Sequence, residues 1–181
     1  MNKPRFWSDG QIEPKRSFRW YFSITGAENT LETYAIKTVK KPSFTVTEVP
    51  HPYVAHTFYY PGRVTWNTID VTFVDPVAPD HSSILTNILY EGGYRIPKTE
   101  EIARQSFSKQ NFVAAMGTPV IAQIDADANV IERWQLANAF ITNVDFGQLD
   151  YSSEELVVVS LTLRYDYATL EATTPASALT P

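Results

Sequence analysis

Two long alternating runs near the end of the chain limit what it can fold into. Residues 130–146 read VIERWQLANAFITNVDF and residues 156–167 read LVVVSLTLRYDY. In the first run Val130, Trp134, Leu136 and Phe140 share one parity, with Glu132, Asn138 and Thr142 among them. In the second, Val157, Val159, Leu161, Leu163, Tyr165 and Tyr167 take one parity and Ser160, Thr162, Arg164 and Asp166 the other. A period of two means a strand with one buried and one solvated face. The link between the runs holds the turn formers Gly147, Asp150, Ser152 and Ser153. The spacing therefore predicts a long antiparallel hairpin, each arm about twice the usual five to six residues. Such arms suit a barrel wall or a sheet shared between subunits better than a small enzyme pocket.

Composition narrows the class. A chain of 181 residues is long enough for one domain with a real core. Hydrophobic content of 44% and aromatic content of 13% mark it as globular and strand-prone. There is no Cys, so disulfides and thiolate metal sites are excluded. No apolar run approaches the roughly 18 residues of a membrane helix, and the first 18 residues lack the apolar segment of a secretory signal. No membrane partner is expected. The net charge of -5 argues against tight binding of nucleic acid through its phosphates.

Taken in order, residues 1–15 form a polar arm carrying the lone pair Phe6-Trp7. Residues 16–25 alternate as a strand, with Phe18, Trp20, Phe22 and Ile24 on one face. Residues 26–29 turn, and residues 32–41 make a second strand. Residues 43–62 hold Pro50, Pro52 and Pro61, which argue against a continuous central strand. The short β-prone pieces 44–49 and 54–60 are expected there. Residues 63–74 read as a third long strand whose apolar face switches near Asn67, the signature of a bulge or strong twist. Asp80 or Ser82 starts a helix running to about Tyr90, stopped by Gly92-Gly93. Residues 99–116 carry a weaker helical pattern, and 120–125 form a strand. Residues 168–181 are rich in Ala, Thr and Pro without periodicity, the composition of an irregular tail. The expected organisation is an arm (1–15), a β domain (16–167) and a tail (168–181).

Signals for chemistry are weak. Asp125-x-Asp127-x-Asn129 opens like a calcium loop, but the sixth and twelfth positions are Val130 and Leu136 where Gly and Glu are needed. A hairpin turn is the better reading. His51, His56 and His81 have no third ligand at metal spacing. There is no G-x-S-x-G elbow, no P-loop and no dinucleotide fingerprint. Glu154 and Glu155 are adjacent and point to opposite faces of a strand, so they form no catalytic pair. Trp20, Trp66 and Trp134 sit at packing positions. No cofactor, metal or enzymatic activity is expected.

The order of elements resembles the tail tube proteins of contractile-tailed bacteriophages, over residues 17–167. The resemblance is carried by RVTWNTIDVTFVDP (63–76) followed by a helix. It is carried also by Thr142-Asn143-Val144, Leu149-Asp150-Tyr151 and Leu163-Arg164-Tyr165-Asp166-Tyr167. It implies a mainly β fold, an antiparallel β-barrel or sandwich with a flanking helix, also related to the type VI secretion ring protein. It further implies hexameric rings stacked into a tube in the virion tail. The partners would be a sheath, a baseplate and a tail terminator, with DNA passing without specific binding. Under that resemblance the polar positions Glu132, Asn138, Thr142, Ser160, Thr162 and Arg164 are candidates to line the bore. Phe6, Trp7, Phe44, Val49, Tyr53, Phe58 and Tyr60 are candidates for ring-to-ring contacts. The alternatives are a baseplate protein that initiates the tube and a monomeric β-barrel that binds an apolar ligand.

Overall fold

The computed structural model describes residues 14–25 and 33–172. Two four-stranded antiparallel sheets enclose the core. The first contains β1 (Trp20–Thr25), β6 (Thr118–Ile124), β7 (Val130–Ala137) and β10 (Tyr167–Ala172), in that order. The second runs β2 (Ile36–Val39), β5 (Ile69–Val74), β9 (Val158–Arg164), β8 (Phe140–Asp145). Alternation sets the inward faces. In the first sheet Phe22 lies opposite Ile121, and Ile121 opposite Trp134. In the second, Val39, Val71, Leu161 and Val144 form one row. Phe22, Ile69, Val71, Phe73, Leu136, Leu161 and Leu163 are wholly buried in one cluster. Each such side chain contributes roughly 1.5–3 kcal/mol of burial. Among the described residues the two ladders do not join, so the mainly β, antiparallel fold is an open sandwich and not a closed barrel.

The long hairpin of the sequence is folded over on itself. Its first arm divides into β7 in one sheet and β8 in the other. Its second divides into β9 and β10, crossing back. Both arms change sheet at the same corner. Asn138 takes a left-handed φ of 53°, which Asn tolerates better than most residues. The Asp166 amide donates to the Ala137 carbonyl at 3.0 Å. The Asp166 carboxylate accepts from Asn138 Nδ2 at 2.8 Å and from Lys109 Nζ at 2.7 Å. Lys109 first, then Asn138, holds that carboxyl below its usual range. The inward parity changes at this corner, from even residues (Trp134, Leu136) in β7 to odd (Ile141) at the start of β8, and from odd (Leu161, Leu163) in β9 to even (Ala168) in β10, a change that counting straight along each run did not anticipate. The second arm also runs further than expected: β10 extends to Ala172, its Ala and Thr residues paired along β7. Residues 173–181 lie outside the described residues.

The helices fill the side beside β5 and β8. α1 (His81–Glu91) is N-capped by Asp80, whose side chain accepts from the Ser83 amide. Buried His81 packs its ring on Phe73, with centroids 5.5 Å apart. The helical pattern over residues 99–116 is two helices, α2 (Glu100–Ala103) and α3 (Lys109–Met116). Ser108 caps α3 by accepting from the Asn111 amide, and Phe107 stacks on Tyr94 at 5.9 Å. A local cap and a ring contact outside the helix axis outweigh the continuation of weak periodicity. Gly92 lets α1 approach α3: a Cβ there would sit 2.5 Å from the Phe112 ring.

β3 (Phe44–Tyr53) and β4 (His56–Trp66) form a separate two-stranded hairpin. Residues 43–62 are therefore long strand, not short pieces. Tyr53 pairs with His56 across a two-residue turn, and Pro50 and Pro52 pair with Tyr59 and Thr57. Hydrogen-bonded and non-bonded pairs alternate in an antiparallel ladder. Pro50 and Pro52 both fall at the non-bonded positions, where the missing N–H would have pointed outward. The expected bulge at Asn67 is instead the exit from one sheet to another, between β4 and β5. There the Asn67 amide donates to the Ser43 carbonyl at 2.9 Å. Replacing Asn138 by Ala removes its bond to Asp166 and puts a Cβ residue without that bond at positive φ. A loss of about 2 kcal/mol is expected, and about half of that for Asn138→Gly, read from urea midpoints.

Candidate functional site

The outer face of the second sheet is polar. Ser160, Thr162 and Arg164 alternate with the buried Val159, Leu161 and Leu163 along β9. Beside them stand Thr72 and Asp70 of β5, Thr38 of β2, and Asn143 and Asp145 of β8. The Thr162 hydroxyl donates to Asp70 at 2.9 Å, and the hydroxyls of Thr38 and Thr72 are hydrogen-bonded. Three of the six polar candidates are thus brought together here. Thr142 is the bulged residue of β8, its hydroxyl donating to the Thr162 carbonyl at 3.1 Å. Asn138 sits at the corner. Glu132 is not on this face: it shares the inward parity of Trp134 and Leu136 in the other sheet and is buried. Thr38, Asp70 and Thr72 belong to the face but were not singled out from sequence. Their signal was the alternation of IDVTFV, with Asp70 and Thr72 between inward Ile69, Val71 and Phe73.

The β3–β4 hairpin is the second surface. Nearly every residue on it is exposed. Register places Val49, Tyr60, Phe58 and Tyr53 on one side together with His51 and His56, and Phe44 on the other. Phe44 packs edge-on against Trp66 at 5.4 Å, and Trp66 on Tyr165 at 5.9 Å, so Phe44 anchors the hairpin to the body. A bulge sets Thr47 opposite Gly62 and Arg63, and Thr47 Oγ1 accepts from the Arg63 amide at 2.9 Å. Gly62 is required there, because a Cβ would fall 2.3 Å from Thr47 Oγ1. Phe6 and Trp7 lie outside the described residues. A two-stranded hairpin is at best marginally stable alone, and this one displays a run of exposed aromatics that single scattered surface residues would not produce.

A surface cleft of about 810 Å³ separates β8 from α1 and α3. Leu85, Leu89, Phe107, Phe112, Ile141 and Phe146 line it, with the Lys109–Asp166 pair at its rim. The Asp125–Asn129 stretch is the turn between β6 and β7. Asp125 accepts from the Asp127 and Asn129 amides and from Asn129 Nδ2, which holds its carboxyl below the usual range. Among the described residues no three His, Cys, Asp or Glu side chains gather as metal ligands, and no helix is long and apolar enough to cross a membrane.

No protein-family model and no curated protein matches the sequence. Solved structures do match in fold. A chain of the anti-feeding prophage baseplate aligns with a TM-score of 0.65 and 15% identity, over 89% of this chain and 97% of that one. A chain of the anti-feeding prophage tube-terminating cap gives 0.65 and 15%, over 90% and 93%. A chain of the sheath–tube complex of an extracellular contractile injection system, PVC, gives 0.60 and 16%, over 88% and 93%. The fold is the tail tube fold of contractile injection machines. The resemblance seen in residues 17–167 thus holds for the architecture.

Within this tail tube fold, Glu132 is a clamp. It accepts from Lys41 Nζ at 2.6 Å, from Trp134 Nε1 at 2.6 Å, and from Lys15 Nζ. Lys41 also reaches Gln123 at 2.7 Å. Lys41 follows β2 and Lys15 precedes β1, so one carboxylate ties both sheets and the chain entry. Burial opposes its ionisation, but the bonds from Lys15, Lys41 and Trp134 outweigh it and lower its pKa to about 2. A lowered folded-state value means stability that is full above the unfolded carboxyl range and lost as pH falls through the folded value. Between pH about 4.5 and about 2, the parent should lose stability that Glu132→Gln does not. At neutral pH Glu132→Gln should cost about 1–2 kcal/mol, because the two half-exposed lysines regain water. Denaturant midpoints measured across pH check both.

Proposed function

We propose that this chain is the tail tube subunit of a contractile phage or a related injection machine, assembling as hexameric rings stacked into a conduit. The observation that carries the reading is the β3–β4 hairpin. Its paired strands of ten and eleven residues expose Val49, Tyr53, Phe58, Tyr59 and Tyr60, each more than half accessible. A structure of this kind needs a partner to bury it. The prolines withhold amide donors from its margins, so the partner meets its face and not its edge. In a stacked tube that partner is the adjacent ring, and Phe6 and Trp7 are assigned to the same contact.

The polar face of the second sheet supports the bore. Ser160, Thr162, Thr38 and Thr72 present hydroxyls, with Asp70 and Asp145 beside the cation Arg164. A face with few cations does not hold phosphates, so DNA passes without being gripped. The remaining partners are a sheath outside the tube and baseplate and terminator proteins at its ends, in a virion tail or similar particle. The role is structural and not catalytic. A tube-initiating or terminating subunit is the second reading, favoured by the equal likeness to chains of a baseplate and a cap. Copies per particle separate the two. The ligand-binding barrel loses support because the sandwich interior is filled by Phe22, Phe73, Leu161 and their neighbours.

Negative-stain microscopy across a concentration series should show rings or hollow tubes with six-fold end views. Phe58→Glu with Tyr60→Glu should keep the melting temperature of the free subunit and leave rings that do not stack. A monomer at every concentration, or stacking unchanged in the double variant, overturns the reading of this hairpin as the ring-to-ring contact.

A further inference from the structure

Residues 49–60, the outer part of the β3–β4 hairpin, read VPHPYVAHTFYY. The stretch holds no Asp, Glu, Lys or Arg. Its ionisable side chains are His51, His56, Tyr53, Tyr59 and Tyr60, all exposed. In the register, Val49, His51 and Tyr53 of β3 share one side with His56, Phe58 and Tyr60 of β4. Glu48 and Tyr59 project from the opposite side, and Arg63 lies at the bulge, nearer the body. His51 meets the Tyr60 ring edge-on, with centroids 6.3 Å apart. His56 is the diagonal cross-strand neighbour of His51, a spacing of about 7–8 Å.

The charge of this side therefore depends on its two histidines. An imidazole changes charge between about pH 5 and 8, whereas a phenol ionises near about pH 10. In water an imidazolium is well solvated. Pressed into an apolar contact it loses that water, and this side of the hairpin offers it no carboxylate. Two imidazoliums on neighbouring positions also repel each other. The body holds through the same interval, because the clamp at Glu132 is lost only between about pH 4.5 and about 2. The third histidine, His81, is outside the hairpin, buried against Phe73.

We propose that the contact made by this side of the hairpin is gated by protons: it forms with His51 and His56 neutral, and acid opens it. The gate rests on the reading above, in which the adjacent ring covers the hairpin, and it adds how that contact is regulated. When burial requires both imidazoles to be neutral, the stacking constant falls by up to about tenfold per imidazole for each pH unit below their range, or about a hundredfold per copy. Every copy in a ring contributes, so stacking switches over a narrow interval of pH.

Sedimentation and negative-stain microscopy of the whole chain at about pH 8 and about pH 5.5 test the gate. The parent should give tubes at the higher pH and unstacked rings at the lower, and tubes again when the pH is restored. His51→Gln with His56→Gln keeps polar side chains that take up no proton, and should give tubes at both. The melting temperature should match the parent's at each pH under conditions where both are unstacked, since the two positions lie outside the packed body. Parent tubes that persist at the lower pH would overturn the gate. Tubes that strengthen there would overturn it too, by showing that the covering surface supplies carboxylates. Unstacking of the double variant at the lower pH would overturn the assignment to these two histidines. Tubes at the higher pH that Phe58→Glu with Tyr60→Glu leaves intact, or no tubes at either pH, would remove the hairpin reading itself.

Discussion

The crossing at Asn138 and Asp166 is the constraint on which the rest of the molecule depends. Two strands leave one sheet and enter the other at the same point, in opposite chain directions. The corner holds because the Asp166 carboxylate accepts from Lys109 Nζ through both oxygens and from Asn138 Nδ2, its own amide meanwhile bonding the Ala137 carbonyl. Lys109 brings α3 into the same network. The sheets are thereby fixed relative to each other, and α3 is fixed relative to both. The cleft beside β8 follows from that arrangement, because its walls are α1, α3 and β8.

A second constraint sits at the far end of β7. Glu132 lies on the core side of the first sheet, where a carboxylate without partners would be costly. Three donors make it tolerable, and two of them arrive from outside the sheet. The corner and the clamp therefore pin the sandwich at both ends of one strand. What remains outside this framework is the β3–β4 hairpin, held to the body through Phe44, Trp66 and Tyr165. The packed body and the projecting hairpin are thus separate ladders of one chain.

Polar side chains in this chain take opposite roles on opposite parities of their runs. Thr162 faces water and bonds Asp70 across the sheet surface. Glu132 stands in line with Val130, Trp134 and Leu136 and is interior. The difference lies in which side of the strand meets the second sheet and whether cations reach it. The first is visible to a count along one strand, but the approach of Lys15 and Lys41 is not.

The sequence by itself determined the β1, β5, β7 and β9 strands, the helix after Asp80, the hairpin turn at Asp125 and the general architecture. Alternation, capping and turn chemistry are local, and each element's neighbours in sequence carry the signal. It also marked Ser160, Thr162 and Arg164 as one polar face, since a period of two forces them together. The tertiary structure decided where strands change sheet, because the bonds that hold the corner join Asn138, Asp166 and Lys109 across long stretches of sequence. It decided that residues 43–62 pair along their length, because the effect of proline depends on which pairs of a ladder are bonded. It decided that β10 extends to Ala172, because strand addition along β7 stabilises residues of weak preference. And it decided that Glu132 is inside, because only the folded chain brings Lys15 and Lys41 within reach of it.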